Sequence, residues 1–425
     1  MHYGQYDYKY SYQYIVMKII YFHQHFTTPA IGGGTRSYEF AKKLIARGHQ
    51  VTMVCGGDKS LFNLPPTSKK DIYRGNLDGI DLIQISIPYS NNDGLWKRTK
   101  SFLSYAVKGI SLAMKEDYDL LFATSTPLTA GIPGIVQKLF RHKKFVFEVR
   151  DLWPELPKAL GYKNPLGLLG MSLLEKWSYR SADACIGLSP GIKEGILRRS
   201  QAGKRVEMIP NGCDLDLFRP GGRENLSIDG VGPNDKVAIF TGAHGVANGL
   251  DSVLDAAAVL KHKGRNDIKL VFIGQGKMKP HLIDRKEKEG LDNCIFINQV
   301  PKTVLNNIVS SADMGLMVLA NVPAFYYGTS PNKFFDYIAS GLPIINNYPG
   351  WLADMIGADK CGIVVAPDSP EEFAVGIIKL ADNPDARAEY GKNARALAER
   401  EFDRDVLSDR FADFLEQVYD SGNLR

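Results

Sequence analysis

Apolar runs typical of β-strands alternate with amphipathic helical stretches along most of this chain, a pattern that leaves few folds open to it. The strand VMKIIYF is followed by the glycine-rich loop FTTPAIGGG, the helix TRSYEFAKKLIARG and a second strand, VTMVCGG. A strand, a helix and a parallel strand form a βαβ unit, the repeating element of doubly wound α/β domains. Further strands are predicted at DLIQISI, LLFATS, KFVFEV and ACIGLS.

The same alternation starts again after residues 213–234, which are rich in Gly, Pro and Asp and are predicted to form a linker. It continues through KVAIFTGA, KLVFIG, CIFINQV and MGLMVLA. At 425 residues, the chain is also too long for one ordinary core. We therefore predict an α/β protein with two doubly wound Rossmann-like domains, residues 17–212 and 235–400, and a cleft between them.

Both ends of the chain fall outside this alternation. Residues 1–16 are rich in tyrosine and lack an apolar period, so we expect a disordered extension or an upstream start, with Met17 as the native start. Residues 401–425 are predicted to form a helix with apolar side chains along one face. Such a face needs a partner surface to cover it.

Composition and charge indicate the class of protein. No apolar run approaches the roughly 18 residues of a membrane span, and we expect no secretory signal. The five cysteines show neither CxxC nor metal-ligand spacing, which predicts a reduced cytosolic protein without a metal site. Residues 1–215 carry a net charge of +11 and residues 216–425 carry −6. The first half is therefore predicted to meet an anionic surface, unless the difference is chance variation in solvated charge.

The stretch SPNKFFDYIASGLPI, residues 330–344, is predicted to hold a nucleotide. Ser330 suits a helix N-cap, and Pro331 suits the first helical position. Lys333 and Asp336 are three residues apart and so share a face. The lysine can neutralise a phosphate oxygen while the aspartate accepts hydrogen bonds from a ribose diol, which predicts a nucleoside diphosphate. A salt-bridged surface helix is the alternative.

The glycine loop AIGGGTRS, residues 30–37, is a second candidate for anion binding. It includes Gly33 and Gly34 and precedes a helix, where free backbone N–H groups favour a diphosphate. It only approximates GxGxxG, because Ser37 replaces the last glycine. A purely structural tight turn remains open.

From about Met17 to its C-terminus, the chain resembles the retaining glycosyltransferases of family 4, which have the GT-B fold. The stretches that carry the resemblance are FHQHFTTPAIGGGTRSYEFAKKLIARGHQVTMV, FEVRDLWPE, IPNGCDLDLFRP, FTGAHGVANGLDSVLDAA and SPNKFFDYIASGLPII. The combination of SPNK, DLWPE and GAHGVANGLD resembles the subgroup that builds bacterial O-antigens and capsules, including the N-acetyl-L-fucosamine transferases.

The resemblance implies where each substrate binds. The C-terminal domain would hold a nucleotide sugar, taken to be a UDP-sugar carrying an N-acetylated hexose or deoxyhexose, and the N-terminal domain would meet the acceptor. The final helix would cross back onto the first domain. Transfer in this family needs neither a metal nor another cofactor. The usual acceptor is a polyprenyl-diphosphate-linked saccharide, which implies a cytoplasmic enzyme, peripheral on the inner face of the membrane, with no nucleic-acid partner.

The chain departs from the family pattern at the cations and acids of the donor site. Asp336 matches the second of two acids eight positions apart, but the first falls on Gly328. The usual Arg and Lys that bind the departing diphosphate fall on Ala243 and Asn248. We therefore expect Lys333 to take their role, helped by backbone N–H groups at the helix start.

Other donor-site residues follow from the resemblance. The predicted set adds the glycine loop and the residues around the start of the 330–344 helix, and the base is expected against the two residues after CIFIN. The donor-binding set is Gly33, Gly34, Gly242, His244, Gln299, Val300, Ser330, Asn332, Lys333 and Asp336.

Arg150 and Asp151 follow the strand FVFEV and are predicted at its carboxyl end, facing the cleft. With Lys333 they form the predicted catalytic set: Arg150 would steady a phosphate, and Asp151 would orient the acceptor hydroxyl or act as base. A structural Arg–Asp pair is the alternative. His23 and His25 are predicted to touch the acceptor, and packed histidines are the alternative.

Residues 95–115 interleave apolar and basic side chains as interfacial helices do, and 161–177 is a second apolar stretch. They predict contact with anionic lipid of the inner leaflet; ordinary core-facing helices are the alternative.

Three other functions remain open from sequence. A UDP-N-acetylglucosamine 2-epimerase would share the two Rossmann halves and bind a UDP-sugar. A nicotinamide oxidoreductase could use the AIGGG loop but leaves SPNKFFDY unexplained. A non-catalytic nucleotide-binding protein would explain the missing acid and cations.

Overall fold

The computed structural model describes residues 16–31, 33–90, 93–222 and 228–421. The predicted extension at 1–16 lies outside the described residues except for Val16. The described chain contains two β-sheets flanked by helices. The strands are β1 (Lys18–Phe22), β2 (Gln50–Gly57), β3 (Ile72–Leu77), β4 (Ile80–Ser86), β5 (Leu120–Ser125), β6 (Lys144–Val149), β7 (Ala184–Gly187), β8 (Arg205–Met208), β9 (Lys236–Thr241), β10 (Ile268–Ile273), β11 (Cys294–Ile297), β12 (Met314–Met317), β13 (Ile344–Asn346) and β14 (Gly362–Val364).

The first sheet has eight strands in the order β3-β4-β2-β1-β5-β6-β7-β8. All neighbouring pairs are parallel except β3 and β4, which pair antiparallel at one edge. The second sheet has six strands in the order β11-β10-β9-β12-β13-β14, all parallel. In the first sheet, later strands are added on both sides of β1, and in the second sheet on both sides of β9. Open α/β sheets bind ligands at such a switch point in the strand order.

Helices cover the faces of both sheets. They are α1 (Arg36–Ala46), α2 (Leu95–Lys115), α3 (Ile132–Phe140), α4 (Glu155–Ala159), α5 (Pro165–Ser181), α6 (Pro190–Arg199), α7 (Asp251–His262), α8 (Lys279–Glu289), α9 (Lys302–Ser310), α10 (Pro323–Tyr326), α11 (Asn332–Ala339), α12 (Trp351–Ala358), α13 (Pro370–Asp382), α14 (Pro384–Glu401) and α15 (Arg404–Asp420). No helix of the described ranges is long and apolar enough to cross a bilayer.

The last helix, α15, packs on the first domain rather than the second. Phe411 stacks on Phe40 of α1, with ring centroids 4.1 Å apart, and meets Phe122 edge-on at 5.0 Å. Arg47 forms ion pairs with Asp409 and Asp413 at the rim of this contact. The apolar face of α15 is thereby removed from water, which is the main stabilising term for such a helix.

The chain passes between the domains twice, and the two passages lie side by side. Cys213 donates a backbone hydrogen bond to Phe402 and accepts one from Arg404. The first part of the segment predicted as a linker, residues 213–222, packs on the second domain. Cys213 and Phe218 are completely buried in the second core, because residues 213–222 pack against that domain.

Candidate functional site

A cleft of about 1670 Å³ separates the carboxyl ends of the two sheets. The first domain contributes the glycine loop and the start of α2. The second contributes the loops after β9, β10 and β11 and the N-terminal turn of α11. Of the residues predicted from sequence, eight line this cleft: Gly33, Gly34, Gly242, Gln299, Val300, Asn332, Lys333 and Asp336.

The helix that carries Lys333 and Asp336 begins later than predicted. Helix α11 starts at Asn332, and Pro331 is its N-cap, so Ser330 is not the cap. The Ser330 hydroxyl instead accepts a hydrogen bond from the Asn211 backbone N–H, while the Asn211 side chain donates to the Ser330 carbonyl. Ser330 therefore links Asn211, beside the passage between the domains, to the start of α11, and it does not line the cleft.

Lys333 contacts Asn248, one of the two positions where the family resemblance would place a cation. Its ammonium donates a 3.1 Å hydrogen bond to Asn248 Oδ1 and lies 4.3 Å from the centroid of the Phe240 ring. The Asn248 amide in turn donates to the Ala243 carbonyl at 2.7 Å. Burial lowers the pKa of Lys333 to about 7, because the ammonium has lost much of its hydration. An anion entering the cleft would restore the charged form.

Asp336 lies one turn deeper and is 4% exposed. Within the described residues, its Oδ1 accepts no hydrogen bond. The nearest cation is the Lys302 ammonium, 3.7 Å from Oδ1. Burial raises the pKa of the Asp336 carboxyl, and Lys302 and Arg404 oppose that rise. A buried carboxylate on a cleft wall without a hydrogen-bond donor is suited to receive one from a ligand.

Two glycine loops approach α11 closely. A Cβ on Gly34 would come within 3.0 Å of the Asn332 side-chain nitrogen, so the glycine loop lies against α11 across the cleft. Gly242 has a φ of +136°, and a Cβ there would lie 3.3 Å from Lys333 Cε. Glycine is required at that position by its backbone, and its missing side chain leaves room for the lysine.

Gln299 and Val300 line the cleft after β11, where the sequence predicts the base. His244 does not line it: the ring is fully buried among Phe240, Phe272 and Phe296. Burial lowers the pKa of His244 to about 4, so the imidazole is neutral at pH 7. In this arrangement His244 supports the loop after β9 from behind rather than facing a ligand.

Arg150 and Asp151 follow the carboxyl end of β6, an interior strand of the first sheet, and do not line the cleft. Arg150 donates to Thr124 Oγ1 at 2.9 Å and forms an ion pair with Glu148 at 3.3 Å. Glu148 also pairs with Arg36 at 2.8 Å. The buried acid partner of Arg150 within the described ranges is thus Glu148, not Asp151. Burial raises the pKa of the Asp151 carboxyl, which favours proton acceptance over permanent charge.

His23 and His25 lie at the end of β1, outside the cleft lining. His23 is buried against Phe26, and burial holds the pKa of its ring well below the usual value. The His25 ring lies 4.6 Å from that of Tyr89, and burial lowers its pKa to about 4, with Arg150 and Arg98 contributing. Both imidazoles are therefore neutral at pH 7.

Four cations on the cleft wall were not predicted as site residues, namely Arg98, Lys277, Lys279 and Lys302. Lys302 begins α9, and Arg98 lies in the first turn of α2. The sequence offers no signal for Lys302, since a lysine after a proline at a helix start is typical of a solvated surface. Arg98 belongs to the basic stretch assigned to lipid contact, and only the tertiary fold shows that it borders the cleft.

Two family models match the chain, one on each half. The model described as Glycosyltransferase Family 4 matches residues 31–217. The model described as Glycosyl transferases group 1 matches residues 224–397.

Individual proteins show the same relationship. D-inositol 3-phosphate glycosyltransferase 2 of Catenulispora acidiphila is 29% identical over 203 residues, 45% of this chain and 45% of that protein, so the match spans less than half of the relative. Sucrose-phosphate synthase from Thermosynechococcus elongatus superposes with a TM-score of 0.76 at 18% identity, covering 95% of this chain and 99% of that chain. HepE of Anabaena, solved in complex with UDP-glucose, gives 0.66 at 16% identity, covering 94% and 100%. These structures confirm the predicted GT-B fold.

Proposed function

Since its two halves are the two domains of a glycosyltransferase with the GT-B fold, we propose that this chain transfers a sugar from a UDP-sugar to a polyprenyl-diphosphate-linked saccharide. The anomeric configuration is retained, and the sugar is an N-acetylated hexose or deoxyhexose destined for a bacterial O-antigen or capsule. The single observation that carries the proposal is the pairing of Lys333 and Asp336 on the cleft-facing turn of one helix.

The chemistry follows from where charge develops. The acceptor oxygen bonds to the anomeric carbon while the bond from that carbon to the diphosphate oxygen breaks. The electron pair leaves with the diphosphate, and the acceptor proton passes to a diphosphate oxygen on the same face. A preorganised cation at the departing oxygen stabilises this transition state most effectively in a site with little water. Lys333 supplies that cation, and the N-terminal end of α11 adds its dipole.

UDP is the proposed nucleotide because HepE, which shares the fold, is solved with UDP-glucose. Gln299 and Val300, where the sequence analysis expects the base, also line the cleft.

A lipid-linked acceptor is supported by the outer surface of the first domain. Helices α2 and α5 expose apolar side chains, among them Trp96 at 87% and Leu166 at 79%. Lysines interleave with these side chains along α2. The first turn of α2 also borders the cleft through Leu95 and Arg98. One helix therefore joins the exposed apolar surface to the reaction site, as a lipid-borne diphosphate requires.

Incubation of the purified protein with a panel of UDP- and GDP-sugars and a polyprenyl-diphosphate disaccharide tests the proposal. We expect one UDP-sugar to extend the lipid-linked acceptor, with UDP released in equal amount. Release of an epimerised UDP-sugar without an acceptor would replace the transferase with an epimerase. No turnover with any donor and acceptor of the panel, in protein that binds UDP, would favour a binding protein.

A further inference from the structure

We infer that Lys302 is a second ribose-recognition residue, acting with Asp336 to hold the two hydroxyls of the nucleotide ribose. The inference rests on the proposed function, because it concerns the nucleotide of that same site. It assigns a specificity role to a residue that begins a neighbouring helix and has no place in the family pattern described above.

The geometry consists of two buried groups of opposite charge that do not satisfy each other. Lys302 is 6% exposed and Asp336 is 4% exposed. Their closest atoms, Nζ and Oδ1, are 3.7 Å apart, too far for a hydrogen bond. Within the described residues, neither atom has a hydrogen-bond partner. Both side chains line the cleft.

Such a pair is costly unless a ligand completes it. A buried ammonium and a buried carboxylate each lose hydration, and attraction between them compensates fully only when hydrogen bonds satisfy both. A vicinal diol supplies what is missing. One hydroxyl can donate to Asp336 Oδ1 while the neighbouring hydroxyl accepts from Lys302 Nζ.

Lys279 is a buried lysine of the same cleft whose hydrogen bonds are all made within the protein, and it serves as a comparison for Lys302. It is 8% exposed, and its ammonium donates to the Gly274 and Ile297 carbonyls at 3.0 Å and to Asn298 Oδ1 at 2.8 Å. Every donor has an acceptor, so Lys279 fixes two loops. Within the described residues, the Lys302 ammonium has instead the Phe218 ring, with its Nζ 5.5 Å from the centroid, and the Asp336 carboxylate at 3.7 Å.

Calorimetric titration with UDP, 2′-deoxy-UDP and 3′-deoxy-UDP tests the inference. We expect the parent protein to bind UDP at least tenfold more tightly than either deoxy analogue. Lys302→Met should bind UDP and one of the deoxy analogues equally well, while it still prefers UDP to the other analogue. Asp336→Ala should lose the preference that Lys302→Met keeps, and keep the one that Lys302→Met loses. Lys277→Met removes a charge from the same cleft and should keep both preferences. Each preference is a ratio within one variant, so a partly unfolded sample does not change it.

The outcomes separate the inference from the proposed function. If Lys302→Met keeps both preferences, or weakens all three ligands by one factor, Lys302 does not contact the ribose and the inference falls while nucleotide binding stands. The inference also falls if the parent binds UDP without preferring it to either analogue. If the parent binds neither UDP nor GDP, the proposed function itself falls.

Discussion

Lys333 is the side chain on which the proposed chemistry depends. Its attraction for the diphosphate grows as the glycosidic bond breaks, so its removal should lower kcat more than it raises the donor KM. We expect Lys333→Ala to lose on the order of 100–1000-fold in kcat, comparable to removal of one oxyanion donor. Steady-state kinetics with the donor identified from the panel measures this.

The matched control is Lys277→Ala, which removes an exposed lysine from the same cleft. It should stay within about threefold of the parent, because its charge is screened by water. If Lys333→Ala turns over at the parental rate, another cation stabilises the departing diphosphate, and Arg150 would be the first to test.

The lowered pKa of Lys333 makes nucleotide binding dependent on pH. The free ammonium titrates at about 7, and a bound diphosphate raises that pKa because it favours the charged form. Binding at pH 8 should therefore take up a proton, and UDP affinity should fall as pH rises from about 7 to 9. Calorimetry at pH 8 in two buffers of different ionisation enthalpy measures the uptake. An equal uptake in Lys333→Met would assign the proton to a different group.

At the residue scale, the sequence predicts which side chains lie together where one helix carries them at a fixed spacing. Lys333 and Asp336 share a helix face because they are three residues apart, and both line the cleft. Contacts between distant segments were not predictable. Lys302 meets Asp336 only through the packing of α9 against α11, and His244 was assigned to the cleft although its ring is buried behind it.

At the scale of elements, α2 and α5 form an exposed apolar surface with basic residues beside it. Apolar burial and attraction to anionic lipid should act together there. We expect the protein to pellet with vesicles rich in phosphatidylglycerol, less so as salt rises. The triple variant Trp96→Ser, Leu103→Ser, Val107→Ser should lose most of this binding.

The control for vesicle binding is Val375→Ser, which alters an exposed apolar residue of α13 in the second domain. Its binding should equal that of the parent. Vesicle binding that survives the triple α2 variant would place the lipid contact elsewhere on the chain.

Strands and helices were predictable where the apolar pattern is strong, but not where an exposed edge strand contains few apolar residues. The buried parallel strands read as continuous apolar runs, which is how both sheets were predicted. Strand β3 was missed because IYRGNL mixes charged, small and polar residues, as an exposed antiparallel edge allows. Residues 213–234 were predicted as a linker from their Gly, Pro and Asp content, and within them Phe218 is completely buried.

At the scale of the whole molecule, Gly191 of the first domain lies directly against the backbone of the second domain. A Cβ on Gly191 of α6 would collide with the Tyr327 carbonyl of the second domain. The neighbouring Ser189 hydroxyl donates to that same carbonyl at 3.0 Å. The domains can approach this closely only because residue 191 has no side chain.

Gly191→Ala should therefore hold the domains apart while leaving each one folded. Alanine favours a helix over glycine by roughly 1 kcal/mol, so α6 itself should not be weakened. We expect at least a tenfold loss of kcat/KM and a larger radius of gyration by X-ray scattering, with little change in melting temperature. Gly357→Ala is the control, since a Cβ at that helical position meets nothing within 4 Å. Parental kcat/KM in Gly191→Ala would show that this contact does not govern the cleft.

A crystal structure of the protein soaked with UDP tests the placement of the nucleotide directly. The diphosphate should lie within about 3 Å of Lys333 Nζ, a normal hydrogen-bond distance, and the ribose hydroxyls should contact Asp336 and Lys302. A diphosphate bound to Arg150 or elsewhere on the first domain, with the α11 end of the cleft unoccupied, would contradict the assignment of the donor site.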